Sequence, residues 1–293
     1  VLDISTRFWH ASALSPMDKD CPLTGMPSVQ KPSGRASVEA GERLQNVLAR
    51  RGVASRRRAA DWIAAGRVTV SGQAVREPGW RVTPGADEIR LDGRLLPACA
   101  ETTRTVLLYK PAGVICSADS AQGQTVCDWV RPLTERLVPV GRLDKESEGL
   151  ILLSNDGNLI QRLTHPRHGQ AKRYEVTVTG PLTEEALRQL RARQELDGYL
   201  TRPARVQVLQ RGSTTHTLEF ILGEGRHHQV RRLCGRAGLT VTRLLRTSVA
   251  GLTLAGLRPG EWRELTPAEI SRLQKDTAES RKASDCGGHG GVV

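Results

Sequence analysis

Apolar residues along this chain repeat with two different periods, and the change falls near residue 100. From residue 41 the spacing is helical: Leu44, Val47 and Leu48 of ERLQNVLARRG share one face, and Gly52 supplies a stop. Ser55 is placed to cap a second helix, SRRRAADWIAAG, in which Ala59, Trp62 and Ile63 share a face and Gly66 ends the run. RVTVSGQAV then alternates as two short strands about a Ser-Gly turn. A small helix, helix, hairpin unit is predicted over residues 41–96, followed by a linker over 97–103 containing most of LPACAETTR.

Beyond the linker the pattern is mostly that of strands. TVLLYKPAGVICS reads as an apolar strand running into a Lys-Pro-Ala-Gly turn, and both LVPV and GLILLSND read as buried strands. RYEVTVTG alternates, with Tyr174, Val176 and Val178 on one face and Glu175, Thr177 and Thr179 on the other. TEEALRQLRAR follows as a helix capped by Thr183, with acidic residues in its first turn. ARVQVLQ and HTLEFILGEG give two more strands. HQVRRLCGRAG gives a helix with Val230, Leu233, Cys234 and Ala237 inward and Gly238 near its end. Many strands with few helices, in non-repeating order, predict an α+β fold with a mixed or antiparallel sheet over residues 104–272. Residues 1–40 and 273–293 lack either period and read as a flexible extension and a flexible tail.

Charge adds a partner class to this outline. Across 293 residues, 43 Lys and Arg oppose 31 Asp and Glu, a formal net charge of +12 that points to a polyanion. Aromatic residues make up only 3%, which argues against a stacking platform of several Phe or Tyr and for recognition by shape and phosphate. The six cysteines contain no C-x-x-C pair, so neither a zinc site nor a secreted disulfide framework is expected, and a reducing cytoplasm is the simplest setting. No apolar run approaches the ~18 residues of a membrane span, so no membrane partner is expected.

Three clusters are candidates for chemistry. Arg50, Arg51, Arg56, Arg57 and Arg58 bunch where the first two helices meet, as either a solvated basic face or a phosphate-binding patch. GEGRHH has His228 where the third glycine of a dinucleotide loop belongs, and His165, His168, His227 and His228 sit in Arg-rich turns without cysteines. Neither a nucleotide cofactor nor a metal is expected. Asp144 lies in GRLDKESEGLILLSND between Arg142 and Lys145, in a tight connection between two buried strands where Gly141 and Gly149 permit unusual backbone angles. Burial disfavours the charged carboxylate and a nearby arginine restores it, the state a nucleophile or base requires. Taken alone, an Asp-Arg salt bridge closing a loop accounts for these residues as well.

Residues 41–96 resemble the S-four-type RNA-binding domain, down to GADEIRLDGR, which carries one inserted Ala. GRLDKESEGLILLSNDG is similar to the signature of the RsuA-like family of ribosomal RNA pseudouridine synthases. KRYEV, with Tyr174, looks like that family's second motif, and GEGRHHQVRRL, with Arg231, looks like its third. KPAGVICS matches the family's first strand and turn. The resemblance implies an RNA-guiding module followed by a sheet-based synthase domain that needs no cofactor or metal. It implies that Asp144 adds covalently to the target nucleotide, at carbon six of uracil or at the anomeric carbon of the ribose. Tyr174 would stack on the base and take part in removing the carbon-five proton; an ordinary core tyrosine is its plainer role. Arg231 would pair with Asp144 and keep it charged. Arg142 would help hold the extruded nucleotide, or else make a phosphate contact, and Arg232 would be a further RNA contact. His227 and His228 would touch RNA or solvent. The expected partner is ribosomal RNA or a ribosome assembly intermediate, bound by a monomer. The SEGL form of the first motif favours a large-subunit target over a small-subunit one. Tyr109, where Asn is frequent in the family, and Ser147, where Thr is common, bear on fine specificity. A non-catalytic RNA-binding or assembly factor of the same fold is the rival reading.

Overall fold

The structure is a computed structural model that describes residues 41–96, 102–118, 123–133, 135–165, 168–254 and 256–275. The expected extension, most of the expected linker and nearly all of the expected tail lie outside those residues. The first unit begins with β1 (Glu42–Arg43), α1 (Leu44–Arg50) and α2 (Arg56–Ala64). Leu44, Val47 and Leu48 of α1 are fully buried, and they pack with Ala59 and Ile63 of α2 as the helical period requires. Ser55 caps α2, its hydroxyl accepting from the Arg58 backbone N–H at 3.2 Å. β2 (Val68–Val70) and β3 (Gln73–Val75) form the expected hairpin. Its turn residues Ser71 and Gly72 both take positive φ, 48° and 82°, which a two-residue hairpin turn of this kind demands. β4 (Arg81–Val82) pairs with β1, while β5 (Ile89–Leu91) and β6 (Arg94–Leu95) complete a sheet in the order β3-β2-β5-β6. These elements close over one apolar core of their own.

The rest of the described chain is built on a nine-stranded sheet. In chain order its elements are β7 (Thr105–Lys110), α3 (Val126–Trp129), β8 (Val138–Val140), β9 (Glu148–Ser154), α4 (Gly157–Thr164), β10 (Lys172–Thr179) and α5 (Glu184–Arg191). Then come β11 (Glu195–Leu196), β12 (Tyr199–Leu200), β13 (Arg205–Arg211), β14 (Thr215–Leu222), α6 (Gln229–Arg236), β15 (Thr240–Val249), β16 (Leu252–Thr253) and β17 (Trp262–Glu264). The order across the sheet is β13-β14-β10-β15-β9-β7-β17, with β16 on β15 and β8 on β9, while β11 and β12 form a separate hairpin. The α+β class and the mixed sheet are as the patterning predicts.

Two kinds of strand explain the two apolar patterns. β10 is buried on one face only, through Tyr174, Val176 and Val178, which pack with residues of α5 and α6 in a single core. Its alternation is therefore clean. β9 is buried on both faces: Leu150 and Leu152 enter one core with Leu107, while Ile151 and Leu153 enter another with Val106 and Leu108. The uninterrupted run Leu150-Ile151-Leu152-Leu153 follows from that double burial. Residues 267–275 are helical, and Leu273, at the expected start of the tail, is 1% exposed within the Leu107 core.

One junction in the sheet is parallel. β15 meets β9 through Leu245 opposite Glu148 and Arg246 opposite Gly149, whereas the other strand pairs of this sheet are antiparallel. Gly149 takes φ 109° there, and a Cβ on it would collide with the Arg246 carbonyl oxygen. This approach is open to glycine and leaves no room for a side chain. The connection from β8 into β9, residues 141–147, enters the sheet at this junction.

Candidate active site

Asp144 sits on that connection, and the backbone around it is held from several sides. Gly141 opens the loop with φ 79°, and the Asp144 carbonyl accepts the Ser147 N–H at 3.1 Å, closing a turn. Lys110, the last residue of β7, is 0% exposed and donates its ammonium to three carbonyls: Ser147 at 2.5 Å, Pro111 at 2.9 Å and Lys145 at 3.1 Å. An ammonium has three donors, and here each has a partner. Burial pulls the Lys110 amine below the usual lysine value, opposed first by Cys116 and then by Glu146 and Asp144. Gly113 donates to the Lys145 carbonyl at 2.7 Å, and the Leu143 N–H points at Cys116 Sγ at 3.3 Å. Arg246, 4% exposed, donates Nε to the Leu150 carbonyl at 2.8 Å and Nη1 to the Arg142 carbonyl at 3.3 Å.

With its backbone fixed, Asp144 turns a side chain that is 29% exposed toward a cavity of about 230 Å³. Tyr174, Lys172, Arg142, Arg231 and His228 line the same cavity, over an apolar floor that includes Leu143 and Leu244. Tyr174 is buried at the start of β10, opposite Phe220 of β14 and Arg246 of β15. Burial, and after it the charge of Arg246, lower the Lys172 amine to about 8. An amine in that range exchanges protons near neutral pH. His228 takes φ 51°, stacks on His227 at 4.0 Å, and brings Nε2 to 3.4 Å from Asp144 Oδ1.

The turn before α6 is tied to the β11–β12 hairpin through Glu224. This buried carboxylate accepts the Tyr199 hydroxyl at 3.0 Å, the Arg202 N–H at 2.9 Å and the Gln229 amide at 2.9 Å. Gln229 in turn accepts the Arg226 N–H at 3.0 Å, and the Arg226 guanidinium lies 3.4 Å over the Tyr199 ring. The site therefore combines a positioned carboxylate, an amine able to trade protons, an aromatic floor residue and several cations for phosphates. No group of His, Cys, Asp or Glu among the described residues is arranged to hold a metal ion.

Arg142 and Asp144, neighbours on one loop, are brought to one cavity with Tyr174 and Arg231, which are distant from them in sequence. Their contacts differ in part from expectation. Arg231 extends Nη2 to Ser147 Oγ at 3.5 Å, and among the described residues the basic side chain within 4 Å of the Asp144 carboxylate is His228. Among the described residues no ion pair joins Arg231 to Asp144, although both line the cavity. His228, expected at RNA or solvent, keeps a side chain that is 43% exposed and also approaches the carboxylate. Arg232 does not offer a free guanidinium: Asp197 takes both terminal nitrogens, at 2.7 and 2.8 Å. In the first unit, Arg51 is 8% exposed, its guanidinium pushed down by burial and then by Arg50, while Arg50 pairs with Glu42 at 2.7 Å. Burial takes Arg51 out of the exposed basic cluster, which keeps Arg50, paired with Glu42, and Arg56, Arg57 and Arg58, with Arg58 placed 5.3 Å over Trp62.

Lys110, Lys172 and Arg246 do not stand out in the sequence patterning. A lysine ending the apolar run TVLLYK is a readable signal for the first, since an unpaired charge has no place in a strand buried on both faces. The position of Arg246 depends on a parallel pairing across about a hundred residues, which no local pattern carries.

Known proteins agree with this architecture. Residues 104–235 match the family described as RNA pseudouridylate synthase, and residues 42–88 match the S4 domain. Ribosomal large subunit pseudouridine synthase B of Bacillus subtilis (strain 168) is 41% identical over 236 residues, covering 80% of this chain and 96% of that protein. Dual-specificity RNA pseudouridine synthase RluF of Escherichia coli (strain K12) is 33% identical over 234 residues, covering 80% and 78%. A solved structure described as a crystal structure of pseudouridylate synthase matches with a TM-score of 0.58 at 31% identity, over 79% of this chain and 99% of that one. The fold and the site thus define an α+β RNA-modifying enzyme with an S4 module ahead of it. The chain belongs to the RNA pseudouridylate synthase family and is a pseudouridine synthase.

Lys172 gives a test of the cavity's electrostatics. Its folded value near 8 lies below the ordinary 10.5, so between those values the unfolded chain binds more protons and stability rises with pH. Urea denaturation from pH 7 to 10 should show the wild type gaining stability relative to Lys172→Met above about pH 8. A constant difference, or one of opposite slope, would contradict the burial of a charged amine.

Proposed function

We propose that this enzyme converts uridine to pseudouridine in large-subunit ribosomal RNA, with Asp144 as the covalent nucleophile. The observation that carries the reading is the position of Asp144: its carboxylate faces a cavity shared with Tyr174 and Arg231, on a loop held by Lys110 and Arg246. A nucleophile that must attack one ring or sugar carbon gains from such fixing, since misplacement by about 1 Å costs on the order of 100-fold in rate. The large-subunit target is supported by the 41% identical relative that bears that target in its name.

In the proposed cycle the target uridine leaves its stack and enters the cavity, with Arg142 at the exposed rim helping to hold it. The Asp144 carboxylate adds at carbon six of uracil or at the anomeric carbon of the ribose. The glycosidic carbon–nitrogen bond breaks, the uracil turns, and carbon five bonds to the sugar. The carbon-five proton leaves, and the carboxylate is released unchanged. Tyr174 supports the base and, with Lys172 beside it, supplies a route for that proton. Arg231 orients the turn that carries Asp144 through Ser147. The module over 41–96 docks on structured RNA through Arg56, Arg57 and Arg58, and the enzyme works as a monomer in the cytoplasm on ribosomal RNA or an assembly intermediate.

Asp144→Asn should abolish tritium release from ribosomal RNA labelled at carbon five of uridine, while filter binding of the same RNA persists. Undiminished release in that variant would leave only the rival of a catalysis driven by other groups. Replacing Arg56, Arg57 and Arg58 by Gln should weaken RNA binding and lower the slope of log affinity against log salt by about 0.7–0.9 for each phosphate no longer neutralised. An unchanged slope would return that cluster to the status of a solvated face.

A further inference from the structure

Asp144 has a neighbour whose position does not follow from building a helix. His228 precedes α6 and adopts φ 51°, a left-handed conformation that glycine accepts freely and other residues seldom take. Its side chain makes no capping hydrogen bond to the helix it precedes, so capping does not explain the residue type. The left-handed backbone instead turns the imidazole into the cavity, with Nε2 at 3.4 Å from Asp144 Oδ1. His227 stacks on its ring at 4.0 Å with the planes 20° apart, which limits rotation of the imidazole about its own axis. The turn before it is held as well, through the Arg226–Gln229–Glu224 chain that anchors it to Tyr199. An uncommon backbone conformation held in place by surrounding contacts, at a site where a side chain meets a reacting group, is a feature of positioned functional residues.

From this arrangement we propose that His228 is the positioning residue of Asp144: its imidazole orients the carboxylate toward the substrate through Nε2 before the nucleotide enters. The assignment rests on the reading of Asp144 as the nucleophile. His228 would act beside Arg231, which lines the same cavity and reaches Ser147 on the turn.

The experiment uses the full chain and unmodified large-subunit ribosomal RNA transcribed with tritium at carbon five of uridine. Single-turnover release and RNA affinity are measured for wild type, His228→Gly and His228→Asn. Glycine suits the φ of this position, so His228→Gly removes the ring without burdening the fold. It should release tritium roughly 10–100-fold more slowly, as a misaimed nucleophile does, while its RNA affinity stays within about threefold of wild type. Free imidazole added to His228→Gly should recover part of the rate in a saturating manner and leave wild type unaffected. His228→Asn, which tolerates positive φ and keeps an amide donor, should fall between the two. A wild-type rate in His228→Gly, or a loss confined to RNA affinity with no recovery by imidazole, would overturn the assignment while leaving the synthase reading intact. Tritium release by Asp144→Asn equal to wild type would instead overturn the reading on which the assignment rests.

Discussion

The site depends first on a buried ammonium. Lys110 closes a strand whose every residue is buried, and it places its three protons on the carbonyls of Pro111, Lys145 and Ser147. A charge so buried is costly unless each of its donors is matched, and the loop after β8 supplies two of the three matching acceptors. The dependence runs both ways: the loop is ordered because the lysine needs its carbonyls, and the lysine is tolerated because the loop is there. Removing either partner would leave unpaired polar groups, at about 1–3 kcal/mol each. Asp144 is the part of this loop that is left over, its backbone committed and its carboxylate free to face the cavity.

The second constraint is the parallel contact of β9 with β15. A β-sheet that is otherwise antiparallel brings two strands together here at Gly149, with the Arg246 backbone so close that no side chain fits between them. Arg246 uses the same position to donate to the carbonyls of Leu150 and Arg142, which ties the loop to the centre of the sheet. Tyr174 stands opposite Arg246 in the neighbouring strand, so the aromatic residue and the carboxylate are registered through one backbone ladder. Geometry at the cavity is thus a property of the sheet.

Sequence patterning carries most of the fold and only part of the site. Local periodicity places α1, α2 and the Ser71-Gly72 hairpin because each is stabilised by neighbours within a few residues. The Asp144 loop is legible because its glycines and flanking apolar strands are local too. Partners are harder: Arg231 is expected on Asp144, whereas its side-chain contact is with Ser147 on the same turn and the residue before α6, His228, reaches the carboxylate. Which arginine or histidine faces a cavity depends on rotation of a helix and on a positive φ at one residue, and neither is encoded in spacing. Arg51 shows the same limit, since burial removes it from the free surface, and Arg232 engages a partner, Asp197, that spacing does not reveal. The β11–β12 hairpin is missing from the expected elements, although Asp197-Gly198 is a ready hairpin turn.

The proposed target is a uridine of the large ribosomal subunit. The most direct measurement is a map of pseudouridines in total ribosomal RNA from cells lacking the gene, compared with the same cells carrying it again. The account predicts that at least one pseudouridine in large-subunit RNA disappears without the gene and returns with it. Identical maps, or a change confined to another class of RNA, would contradict it.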